Sequence, residues 1–125
     1  MNPSTYILIV EDDFDIREAL EQILAEEGYA VRGASNGSEA LEIATSGPAP
    51  RLILLDLMMP VMNGWQFRSE QLKEPRLAAV PVLVISADPD LQQKAAKLGV
   101  AGLLKKPISL DDLLSAVKVH CPAPA

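Results

Sequence analysis

Six polar side chains stand where they could do chemistry together. Glu11, Asp12 and Asp13 follow the apolar run Tyr6 to Val10, Asp56 closes Leu52 to Leu55, Ser86 closes Val80 to Ile85, and Lys106 follows Gly102 to Leu104. Carboxylates brought to one place repel one another unless a cation sits among them. Oxygen donors at a half-exposed edge suit a hard divalent ion, above all Mg2+ with several retained waters. A lysine and a hydroxyl aimed at the same point could hold the oxygens of a phosphoryl group. Asp56 in their midst could act as a nucleophile and form an acyl phosphate. Phosphoryl transfer asks chiefly for positioning and charge neutralisation, and these groups can supply both.

Each residue also has a plainer reading. Acids after a strand commonly cap the next helix, and a lone Asp at a strand end commonly sits in a turn. Ser86 by itself would be a helix-cap candidate. Lys106 by itself, like its neighbour Lys105, would be an ordinary solvated lysine. Joint placement at successive strand ends is what favours function.

That placement depends on the elements between. Short apolar runs (Tyr6 to Val10, Ala30 to Ala34, Leu52 to Leu55, Val80 to Ile85, Gly102 to Leu104) alternate with longer stretches of helical spacing. Several runs are almost continuously apolar, as strands buried on both faces should be. Ile16, Leu20, Ile23 and Leu24 share one helical face that stops at Gly28; Leu110, Leu113, Leu114 and Val117 repeat the pattern. Asn36 with Glu39 and Asn63 with Gln66 read as capping boxes, Asp88-Pro89 as a cap followed by proline, and Ser109 with Asp112 as a weaker start. Five strand-helix units in order predict an α/β fold, a parallel sheet with helices on both faces and right-handed crossovers. Ligands of such a sheet bind at the C-terminal strand ends, where the six residues fall.

Composition narrows the classes. A chain of 125 residues has the size of one domain. With 49% hydrophobic and 22% charged residues it is not a disordered chain. Eleven basic against seventeen acidic residues leave a net charge of -6, which disfavours direct binding to nucleic acid or to anionic membranes. The single cysteine, Cys121, can form no internal disulfide and fits a reducing compartment. No apolar run approaches the ~20 residues of a membrane span, and no signal peptide opens the sequence. The expectation is a cytoplasmic domain.

Four stretches together resemble a family, the receiver domain of bacterial two-component response regulators. They are Ile-Val-Glu-Asp-Asp at 9–13, Leu-Leu-Asp-Leu-Met-Met-Pro-Val-Met-Asn-Gly at 54–64, Ile-Ser-Ala at 85–87 and Lys-Lys-Pro at 105–107. The likeness runs from about Ile7 to Val119. It implies one receiver domain across 1–125, with a core of about 6–120 and a tail or linker start at 121–125. It also implies a flavodoxin-like, doubly wound (βα)5 fold with strand order 2-1-3-4-5. Asp56 becomes the phosphoacceptor. Glu11 and Asp12 become the acidic pair for Mg2+ or Mn2+, with Asp12 a direct ligand and Glu11 acting through water. Asp13, one place beyond the pair, is read as a helix-start residue. Met58 would offer a backbone carbonyl to the metal, Ser86 would hydrogen-bond the phosphoryl oxygens, and Lys106 would pair with the phosphoryl group. Lys106-Pro107 is a candidate cis bond. The implied partners are a sensor histidine kinase or histidine phosphotransfer protein, and downstream a protein partner or an output domain outside this chain.

Two departures stand out. Leu103 occupies the place where most relatives carry Tyr or Phe, the ring that swings inward when the phosphoryl group captures the hydroxyl at position 86. The segment from Ser86 to Gly99 is about two residues shorter than usual in such domains, which suggests a trimmed loop or helix. Two other functions compete. A phosphohydrolase of the haloacid-dehalogenase kind wants an acid two residues after its nucleophile, and that position is Met58. A receiver-like interaction module without phosphorylation usually lacks an acid, the acceptor or the lysine, and this chain keeps all three. Trp65 and Phe67 read as packing residues, and His120 as a surface residue near a helix end.

Overall fold

The computed structural model describes residues 6–57, 63–88, 90, 93, 96 and 99–120. In order they form β1 (Ile7–Val10), α1 (Phe14–Glu26), β2 (Val31–Ala34), α2 (Gly37–Thr45), β3 (Leu52–Asp56), α3 (Gly64–Lys73), β4 (Val82–Ser86), β5 (Gly102–Lys105) and α4 (Leu110–His120). All strand pairs are parallel, and the sheet order is β2-β1-β3-β4-β5. This is the expected doubly wound, flavodoxin-like order. The helix expected after Asp88-Pro89, and the shortened segment that would contain it, lie largely outside the described residues.

Alternation along each strand builds two cores at once. Leu8, Val10, Ile53, Leu55 and Val84 face Ala40 and Ala44 of α2 and Phe67 of α3. Ile7, Ile9, Leu52, Leu54 and Ile85 face Leu20 and Leu24 of α1 and Leu113 and Val117 of α4. Successive side chains point to opposite faces, so a strand covered on both sides must be apolar throughout. The edge strand β2 carries exposed Arg32, which only an uncovered position tolerates. On α4 the buried stripe begins at Leu113, whereas Leu110 is 52% exposed.

Strand bounds shift where backbone donors are missing or engaged elsewhere. The apolar run from Val80 becomes a strand only at Val82, because Pro81 has no N–H and the Val80 N–H donates to the Leu77 carbonyl at 3.0 Å. β3 and β4 each run one residue further than their apolar stretch, to Asp56 and Ser86.

The caps hold the connections that bear the polar residues. Asp13 caps α1, its Oδ1 accepting from the Ile16 N–H at 3.0 Å. Asn63 and Gln66 close a reciprocal capping box on α3, both bonds being 2.9 Å. At α2 only half of the expected box forms. Asn36 accepts from the Glu39 N–H, but Glu39 accepts from Ser35, the residue before the fully extended cap.

The inward stripe of α3 reads Gly64, Phe67, Arg68 and Gln71, so two of its four residues are polar. Arg68 donates to Gln71 Oε1 at 2.8 Å and to the Gly99 carbonyl at 3.0 Å. Gln71 donates to the Leu77 and Val80 carbonyls at 2.8 and 3.1 Å. Together they satisfy carbonyls of the turns that enter β4 and β5, which buried backbone requires.

Gly64 fixes the approach of α3 to the end of β3. A Cβ there would lie 2.6 Å from the Leu57 Cα and 2.9 Å from the Asp56 carbonyl oxygen, both backbone atoms that cannot yield alone. Gly64→Ala is expected to lower stability by about 1–3 kcal/mol, the usual range for overpacking, read as a lower urea midpoint at unchanged slope.

Candidate functional site

The sheet ladder brings the polar residues together. Val10 of β1 and Leu55 of β3 are ladder partners, so Glu11 and Asp56, each one step further, leave adjacent central strands side by side. Ser86 ends β4 opposite Lys105 of β5, and the Lys106 N–H donates to the Ser86 carbonyl at 2.9 Å. Lys106 therefore turns inward from the strand end, before a cis bond to Pro107.

Its ammonium lies 2.9 Å from Glu11 Oε1 and 3.3 Å from Asp56 Oδ2. Both carboxylates are buried, Glu11 at 0% and Asp56 at 2% exposure, while Asp12 beside them is exposed. Carboxylate oxygens of Glu11, Asp12 and Asp56 all fall within 4.8 Å of one another. They line an open recess of about 430 Å3 that also reaches Ala87, Asp88 and Lys106.

Burial and crowding set the charges. Desolvation pushes the Glu11 carboxyl up to about 7 from an ordinary 4.5, helped by Asp56 and opposed by Lys106 and by the Asp13 N–H, which donates to Glu11 Oε2 at 3.1 Å. At Lys106 partial burial disfavours the ammonium, but its bonds to Glu11 and Asp56 outweigh this and hold its pKa above the usual lysine value. One cation thus faces three carboxylates, an excess of negative charge that a hard divalent ion would relieve. An all-oxygen donor set of two buried acids and one exposed acid fits Mg2+ or Mn2+.

Four of the six expected metal and phosphoryl residues line this recess, Glu11, Asp12, Asp56 and Lys106, and Ser86 immediately precedes its lining residues Ala87 and Asp88. Met58 lies outside the described residues. Ser86 is 1% exposed, and its Oγ accepts from the Asp88 N–H at 3.0 Å, leaving its own proton to donate. Asp13 is occupied as the α1 cap. Leu103 pairs with Val84 and packs, half-buried, on the core beneath α2 and α3. Sequence reasoning missed Arg17, whose Nη1 donates to the Glu11 carbonyl at 2.7 Å. Its only signal is a cation one turn inside the helix that follows the acids.

A profile of the response regulator receiver domain matches residues 7–118. The chain belongs to this family. It is 33% identical over 116 residues to sporulation initiation phosphotransferase F of Bacillus subtilis, covering 93% of each chain. With the transcriptional regulatory protein PdtaR of Mycobacterium tuberculosis the identity is 37% over 90% of this chain. The chain spans 55% of PdtaR, about half its length. Among solved structures, the chemotaxis protein CheY4 of Vibrio cholerae superposes with a TM-score of 0.84 at 29% identity, over 93% of this chain and 98% of that one. Receiver domains are signalling modules of two-component systems rather than metabolic enzymes, they generally bind Mg2+ in an acidic pocket, and they meet sensor kinases or phosphotransfer proteins. Among the described residues of this receiver domain, no helix is long and apolar enough to cross a membrane.

In the metal-free domain the folded state keeps the Glu11 proton to about pH 7, whereas an unfolded chain releases it near 4.5. The folded state binds more protons in that window, so this contribution to stability is full below it and is lost as pH rises through it. Urea unfolding in the presence of a chelator is expected to show that loss in the wild type, and Glu11→Gln is expected to abolish this component of the slope.

Proposed function

We propose that this chain is a phosphorylation-controlled signalling switch that accepts a phosphoryl group on Asp56 from a phosphohistidine of a sensor kinase or phosphotransfer protein. The observation that carries the reading is the buried Asp56 carboxylate, paired with Lys106 and grouped with Glu11 and Asp12 at the C-terminal edge of the sheet. One Asp56 oxygen attacks phosphorus as the P–N bond to the donor imidazole breaks, and the leaving nitrogen takes up a proton. Lys106, kept protonated by its acids, moves with its charge from the Asp56 carboxylate toward the transferred oxygens. Ser86 donates its free proton to another phosphoryl oxygen. Glu11, Asp12, Asp56 and the Met58 carbonyl would hold Mg2+ or Mn2+, which neutralises charge on the phosphoryl oxygens when bound. Slow hydrolysis of the acyl phosphate resets the switch, and no metabolite is turned over.

Output passes to a protein partner or to a domain outside this chain, in a cytoplasmic setting, without direct contact to nucleic acid or membrane. With Leu103 in place of an aromatic ring, less apolar area changes hands between the two states of β5. A ligand shifts a two-state equilibrium only by its differential affinity for the states. Partners therefore read the stretch from Ala87 to Asp90, or the phosphoryl site itself, more than the Leu103 surface.

Three measurements test this. Incubation with phosphoramidate should add one phosphate by intact mass with Mg2+ and none without it or in Asp56→Asn; an adduct surviving in Asp56→Asn would refute the assignment. Asp12→Ala should weaken Mg2+ binding far more than Asp13→Ala. With beryllofluoride as the phosphoryl mimic, amide shifts should be large beside Asp56 and Ser86 and small across β5 and α4. Equal shifts in both regions would show that Leu103 does the work of the ring.

A further inference from the structure

We infer that Arg17 is a positioning residue for the metal site: from inside α1 it holds the Glu11 carbonyl and so sets the direction in which Asp12 presents its carboxylate. The inference rests on the reading of Glu11, Asp12 and Asp56 as the metal-holding acids.

Three observations converge. The Arg17 guanidinium reaches back six residues to the Glu11 carbonyl at 2.7 Å, while its backbone N–H donates to the Asp13 carbonyl at 2.9 Å. That Glu11 carbonyl belongs to the peptide joining residues 11 and 12. The Glu11 N–H is itself held by the Ala34 carbonyl of β2 at 3.0 Å, so both backbone groups of residue 11 are fixed from outside the loop. The Asp12 side chain is exposed, and the peptide before it sets the Cα–Cβ direction from which its carboxylate reaches the site. Glu11, by contrast, is tied by Lys106 and by the Asp13 N–H.

The neighbouring strand leaves room for this brace. A Cβ on Gly33 of β2 would lie 3.0 Å from the Arg17 Cδ and 2.5 Å from Glu21 Oε1. The Glu21 carboxylate can swing away, but the Arg17 stem is held at both ends. On its far side the guanidinium lies 5.5 Å from the centre of the exposed Phe14 ring. A planar cation can stack and donate at once, which a lysine ammonium does less well.

Residues that orient metal ligands typically contribute about 10–100-fold in metal affinity. Calorimetric titration with Mg2+, beside thermal unfolding in a chelator, separates orientation from folding. Arg17→Met should weaken Mg2+ binding about tenfold or more, Arg17→Lys should recover much of the loss by restoring a donor, and Gly33→Ala should weaken it in the same direction. In the metal-free protein, the amide signals of Asp12 and Asp13 should move in Arg17→Met while those of Ser86 and Lys106 stay. Mg2+ affinity within about twofold of wild type in Arg17→Met, or an equal loss in the Lys and Met variants, would overturn the inference. Failure of the underlying reading looks different: the wild type takes up no Mg2+, or Asp12→Ala binds it unchanged, and this inference then falls as well.

Discussion

One partly buried ammonium makes the rest of the arrangement possible. Lys106 lies within ion-pair distance of two carboxylates that the sheet removes from water, and without it Glu11 and Asp56 would face each other as uncompensated charges. Even with it the compensation is incomplete, because one cation serves two buried acids and a third acid stands at the rim. Burial, with Asp56 beside it, raises the Glu11 pKa, and Lys106 offsets this only in part. A site left short of positive charge, around the buried Asp56 carboxylate, is suited to a divalent cation, whose uptake changes the charge balance.

The scaffold serves that imbalance through rigidity. β1 and β3 are central and buried on both faces, so the residues that follow them cannot relax away from each other. Helix caps set where the following helices begin: Asp13 starts α1 directly after the acids, and the Asn63 box starts α3 after β3. Gly64 lets α3 press against the backbone at Asp56 and Leu57. Arg68 and Gln71, unusual in an inward stripe, hold the turns that lead into β4 and β5, the strands that carry Ser86 and Lys106 at their far ends.

The departure at Leu103 bears on how such a domain transmits its state. A half-buried leucine already packed on the core has little travel available, whereas the Ser86 hydroxyl is linked to the turn beyond it by the Asp88 N–H. In the proposed switch, a change at Ser86 would reach the backbone at Asp88 first, with less reaching the outer strand.

Local patterning determined the elements and much of the site. Apolar runs broken by capped helical stretches dictated a parallel sheet, and the position of each polar residue at a strand end indicated which groups would gather. Those signals lie in a few neighbouring residues, so they are legible without the fold. Tertiary structure decided what no local window holds. Pairing of Val10 with Leu55 placed Glu11 beside Asp56, and the inward turn at Lys106 set one ammonium against both. No structural role for Arg17, Arg68 or Gln71 was legible in the sequence. They became structural because of carbonyls six, thirty-one, and six and nine residues away, which only the packed chain brings within hydrogen-bond reach.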